Sequence, residues 1–161
     1  MSCEYRTITR RFFIGSLAGA ALMAIAGSAF SEDATAEDAK AMVAAAIARF
    51  DDAGPALLEE INSGEASDFK NGSLYIVVQS TGADAKIVAH AGNPALVGEP
   101  LASITDSQGN MFAVEISDTA TPEGGWFDYD WINPTSGAVE AKTSWAVRHN
   151  DLVFVAGIYR N

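Results

Sequence analysis

The chain has 161 residues, 48% of them hydrophobic and 19% charged, with 21 acidic against 10 basic side chains and a formal charge of −11 at pH 7. Such an acidic balance repels phosphate backbones and argues against nucleic acid as a partner. One cysteine, Cys3, and two histidines, His90 and His149, rule out a disulfide framework and offer no cluster with metal-ligand spacing, so no metal and no cofactor is expected.

The N-terminal segment places Arg6, Arg10 and Arg11 before an apolar stretch over residues 12–29, followed by small residues and an acidic start. This pattern is that of a secretory signal peptide over residues 1–31, cleaved near Ala29 or Ser31. The run Thr9-Arg10-Arg11-Phe12-Phe13-Ile14 also fits a twin-arginine (Tat) export signal. The stretch is short for a membrane span, which takes roughly 20 residues, so an uncleaved anchor is the lesser alternative. Cys3 is then removed with the signal, and the exported chain is held by its core alone. Residues 32–161 carry seven basic and twenty acidic side chains, a formal charge of −13. At that length a single domain is expected in a periplasmic or secreted setting.

Thr35 precedes "AEDAKAMVAAAIARF", with Asp38 three residues on and Ala39, Met42, Val43, Ala46, Ile47 and Phe50 at helical spacing. An amphipathic helix with a capping-box start is predicted. "DDAGP" breaks it, and Pro55 opens a second helical segment through Ile61, after which "NSGEASD" reads as loop. "SLYIVVQS" and "AKIVAH" are β-rich runs joined by "TGAD", a hairpin. Leu74, Ile76 and Val78 alternate with Tyr75 and Val77, so the first strand is apolar on both faces and should be covered on both.

"ITDSQGN" is a turn, and "MFAVEIS" between two breaks reads as a short helix. "GGWFDYDWI", "AVEAKTSWAVRH" and "DLVFVAGIY" follow as a three-stranded meander. The fold class is α+β: a long N-terminal helix packed on a five-stranded antiparallel sheet, without a second domain.

No G-x-S-x-G elbow, phosphate-cradling glycine loop or H-E-x-x-H helix occurs, and no nucleophile stands with a base, so an enzyme is not expected. What remains is a set of aromatics with a few cations near strand ends. Alternation puts Phe127, Tyr129 and Trp131 on one face of their strand, with Trp126, Asp128 and Asp130 on the other. On the next strand Thr143, Trp145 and Val147 share a face opposite Lys142 and Ser144, so alternation alone cannot bring Lys142 and Trp145 into one pocket. Each aromatic fits core packing or a ligand cage. Lys142 fits a solvated strand or a carboxylate partner. His90, at the end of its strand, fits packing or a pocket rim, whereas His149 lies in an exposed turn.

The ordered motifs are Ala89-His90, Gly98, Asp106 with Gly109, the run "GWFDYDWINP" from Gly125, Lys142 to Trp145, and Gly157 to Tyr159. They resemble the single Cache domains, extracellular PAS-like sensor domains, over nearly all of residues 32–161. The family often has Pro and Tyr where this chain has Ala91 and Trp145. The resemblance implies a PAS-like sheet behind the long helix and a non-catalytic sensor domain that binds a small metabolite, an organic acid above all. His90, Trp126, Tyr129 and Lys142 would line its pocket, with Tyr75 and Trp145 behind them. Since the chain ends at Asn161, just past the last strand, the output is expected in a separate membrane sensor kinase, chemoreceptor or transporter. A protein-interaction module whose pocket its own side chains fill is the alternative.

Overall fold

The computed structural model describes residues 34–160. The export signal, its cleavage site and Cys3 lie outside the described residues. Helix α1 (Ala36–Ala53) begins at the predicted capping box: the Thr35 hydroxyl accepts from the Asp38 amide at 3.2 Å while the Asp38 carboxylate accepts from the Thr35 amide at 2.8 Å. It runs through "DDA", past the predicted break, and stops at Gly54, whose φ of 61° suits glycine. Pro55 behind it disfavours a further helical residue. Helix α2 (Ala56–Ser63) then buries Leu57 and Ile61.

Strand β1 (Lys70–Asn71) turns at Gly72 into β2 (Leu74–Ser80), which forms the predicted hairpin with β3 (Ile87–His90). A single α-helix, α3 (Phe112–Thr119), precedes the meander of β4 (Gly125–Ile132), β5 (Val139–His149) and β6 (Leu152–Tyr159). All pairings are antiparallel, in the order β1-β2-β6-β5-β4 with β3 on β2. The five expected strands are present. The sixth, β1, has only two residues, too few for any alternation to show.

β2 pairs with β6 along one edge and with β3 along the other, and its two faces are covered by α1 and by the segment that carries α3. Leu74, Ile76 and Val78 join Phe154 and Ala156 against Ala39, Met42, Val43 and Ala46 of α1. On the opposite face Val153, Val155 and Ala146 pack with Phe112, Ala113 and Ile116 of α3 and with Leu101 and Ile104 of the loop before it. The sheet is thus sandwiched between α1 and α2 behind and the β3–α3 segment in front. That segment is tied down at both ends. The Gly98 and Ile87 amides bond to Ile87 and Glu99 carbonyls at 2.8 and 3.1 Å. Arg148 Nε donates to the Ala120 carbonyl at 2.9 Å, and its Nη2 donates to the Ser117 carbonyl, capping the C-terminus of α3.

His149 is not the free turn residue expected. Its Nε2 lies 2.7 Å from the Asp51 carboxylate, and its ring meets the Phe154 edge, so it ties α1 to the sheet.

Candidate ligand pocket

The front face of the sheet carries a cavity of about 30 Å³ lined by Tyr75, Val77 and Gln79 of β2, His90, Tyr129 of β4 and Lys142 of β5 on its sheet side. Phe112 and Ile116 of α3 cover it. Tyr75, His90 and Trp131 also line a second pocket of about 220 Å³ that opens between Gly92–Asn93 and Ile132–Pro134. These three side chains stand at the boundary of an inner chamber and an outer one.

Lys142 reaches this face because β4, β5 and β6 align Tyr129, Lys142 and Tyr159 in one row. The lysine is 2% exposed. Its Nζ lies 3.9 Å from the Tyr75 ring centroid and 4.6 Å from that of Tyr159, and it donates to the Tyr159 hydroxyl at 3.3 Å. Two aromatic faces stabilise the ammonium, but they do not neutralise it. Burial pushes the lysine down from 10.5 to about 7, and no described carboxylate offsets the shift.

Gly157 makes the approach feasible: a Cβ there would stand 2.5 Å from Lys142 Cε and would also collide with the Ser144 hydroxyl. Gly92 has the same part beside Tyr75, since a Cβ there would meet three ring carbons at 2.8 to 2.9 Å.

His90 stacks on Tyr75 with ring centroids 5.1 Å apart and planes at 25°. Asn62 of α2 holds the end of β3 by accepting from the His90 amide and donating to Val88 O, each at 3.0 Å. The His90 Nδ1 accepts from the Asn93 amide at 2.8 Å. In the neutral ring that bond leaves the proton on Nε2. Burial, with help from the Lys142 charge, pushes His90 down to about 4 and keeps it neutral at ordinary pH. Burial likewise raises the Tyr75 and Tyr129 hydroxyls and pushes Tyr159 up to about 12, so all three are protonated donors. Tyr129 OH pairs with Ser144 Oγ at 2.8 Å, and its ring stacks on Phe112 at 3.9 Å.

Four of the six residues expected at a pocket, Tyr75, His90, Tyr129 and Lys142, therefore meet in one chamber. Trp126 and Trp145 do not. They pair across β4 and β5 on the helix-facing side, rings 5.3 Å apart, with Lys40 of α1 5.8 and 5.1 Å from their centroids. The reason is strand alternation: Trp126 precedes Phe127 and Trp145 lies three residues past Lys142, both out of phase with the pocket.

Trp131, one of the aromatics that fit a cage, lines the chamber too, as do Gln79 and Phe112, which are not among the expected residues; Tyr159 adjoins it through Lys142. Gln79 and Trp131 were legible by phase, two residues on from Val77 and Tyr129, but Phe112 enters from a separate helix. Among the described residues no group of three His, Cys, Asp or Glu is placed to hold a metal.

The family model described as single Cache domain 2 matches residues 20–159. No curated protein matches the chain. Among solved structures, a periplasmic sensor domain of a chemotaxis protein is similar at 26% identity and TM-score 0.57, over 78% of this chain and 90% of that one. A methyl-accepting chemotaxis protein from Vibrio parahaemolyticus RIMD 2210633 shares 20% identity at TM-score 0.56, over 76% and 86%. A third structure, described as showing the structural basis for carboxylic acid recognition by a Cache chemosensory domain, shares 19% identity at TM-score 0.59, over 78% and 92%.

Proposed function

The chain belongs to the single Cache domain 2 family, and on that premise we propose that it is a non-catalytic, exported sensor domain for a small organic acid, acting in signal transduction with a separate membrane partner. The observation that carries this reading is Lys142: a cation buried in a cavity between two tyrosine rings, with no described carboxylate to pair with it. A buried charge without a partner is costly, and an incoming carboxylate removes that cost. The neutral His90 Nε2–H is a further donor around the same space, the Tyr75 hydroxyl donates to Tyr159 at 3.2 Å, and Phe112 and Val77 suit a short carbon chain. The similar chemosensory domain described by its carboxylic acid recognition supports the same ligand class. For a ligand of five or six heavy atoms the ceiling of about −1.5 kcal/mol per atom sets a limit of roughly −8 kcal/mol, about micromolar.

Calorimetric titration with acetate, propionate and butyrate tests the reading: at least one binds, and Lys142→Met abolishes the binding while the variant stays folded. Undiminished binding by that variant removes the site. The small inner volume favours one rival, an interaction module whose pocket is filled by its own side chains. Silence towards all short acids would support that rival. For export, N-terminal sequencing of the chain recovered from outside the cytoplasm should find cleavage near Ala29 or Ser31; an intact N-terminus in the membrane fraction would instead indicate an anchor.

A further inference from the structure

We infer that the pocket selects a short hydroxy acid, held by its carboxylate at Lys142 and by a hydroxyl, remote from that carboxylate, at Gln79. The inference rests on the reading of Lys142 as a carboxylate anchor. Its own observation is Gln79, 3% exposed and lining the cavity, whose Oε1 is buried without a hydrogen-bond partner among the described residues. Leaving a buried amide oxygen unpaired is destabilising, and native interiors rarely do so outside functional places.

Tyr75, Val77 and Gln79 occupy one face of β2, and four residues of strand span about 13 Å. Lys142 Nζ lies over the Tyr75 end, so the cation and the amide mark opposite ends of the chamber. Val77 and Val155 line the middle. The order along the pocket is donor, apolar, acceptor. A chain with a carboxylate at one end, methylenes between and a hydroxyl beyond them matches it.

The same lining disfavours the other polar acids. No Asp or Glu lines the cavity, so the ammonium of an amino acid would be buried without a partner, and a second carboxylate at Gln79 would lack a cation. An oxo group accepts only and leaves Oε1 unpaired. A hydroxyl donates and accepts, and so satisfies the amide in either orientation of its O and N. Seven heavy atoms need more room than the inner chamber has, and rotation of Leu96 and Phe112 is the kind of side-chain change that accompanies binding.

Calorimetric titration of butyrate, 2-hydroxybutyrate and 4-hydroxybutyrate into the purified chain and into Gln79→Met tests this. The methionine keeps the length of the side chain and removes its amide. Expected is binding of 4-hydroxybutyrate about tenfold tighter than of the other two, with the preference lost in Gln79→Met. Butyrate binding as tightly as 4-hydroxybutyrate to the unsubstituted chain overturns the inference while leaving Lys142 as the anchor, and it does so whether or not the variant folds. A preference that survives Gln79→Met also overturns it. Failure of all three acids to bind overturns this inference, and it overturns the anchor as well when acetate and propionate also fail.

Discussion

Lys142 sets the chemistry of the pocket through its proton. Burial holds it near 7 in the folded chain against 10.5 ordinarily, so between those values the unfolded chain carries the extra proton. Stability then rises as pH rises from about 7 towards 10.5. Denaturant titration should show that rise in the unsubstituted chain and its loss in Lys142→Met. Ligand binding runs the other way. A carboxylate needs the charged lysine, so its affinity should fall by about tenfold per pH unit above 7, with proton uptake visible as a buffer-dependent calorimetric heat. His90, pushed down to about 4, acts on the acid side. It should cost stability as pH falls from 6.5 to 4, because the unfolded chain protonates first. Gly157 governs the same lysine sterically. Its replacement by Ala should cost about 1–3 kcal/mol of stability by overpacking and weaken acid binding, because Lys142 must leave its place over Tyr75; unchanged affinity in Gly157→Ala would show that the lysine tolerates the shift.

At the level of elements, the sheet separates two jobs. α1 covers one face and the β3–α3 segment the other, so changes at the helix side should reach stability without reaching the pocket. Thr35→Ala removes the capping box and should cost about 1 kcal/mol in denaturation with acid affinity unchanged. Trp126→Ala should likewise leave affinity unchanged, since that ring packs with Trp145 beside Lys40; a loss of binding there would mean that the helix face is coupled to the pocket. The three α-helices and the hairpin were legible because their periods and punctuation are strong. β1 was not, having two residues and no partner signal of its own. His149 looked free because its Asp51 partner lies 98 residues away, a separation that no local pattern spans.

Over the whole molecule the formal charge is −11, and over residues 32–161 it is −13, while the one cation that lines the pocket is buried. An anionic ligand is therefore repelled at long range and attracted only at contact. Salt screens the first effect far more than the second. Raising sodium chloride from about 20 to about 200 mM should leave acid binding as strong or a few-fold stronger, read by titration at constant pH. Weakening with salt would point to surface lysines or arginines instead of Lys142.

The α+β class, the order of the elements other than β1 and the phase of the five longer strands were legible in the residues alone, because hydrophobic period, capping residues and glycine or proline breaks act locally. Phase alone already put Trp145 opposite Lys142. Which phases face one another emerged from the packing of the elements. Strand register brought Lys142 beside Tyr159 and over Gly157, the hairpin delivered His90 onto Tyr75, and Trp126 with Trp145 went to the helix side. Burial and pairing of this kind depend on contacts between segments far apart in the chain, and they convert a lysine that composition reads as surface charge into the cation of a pocket.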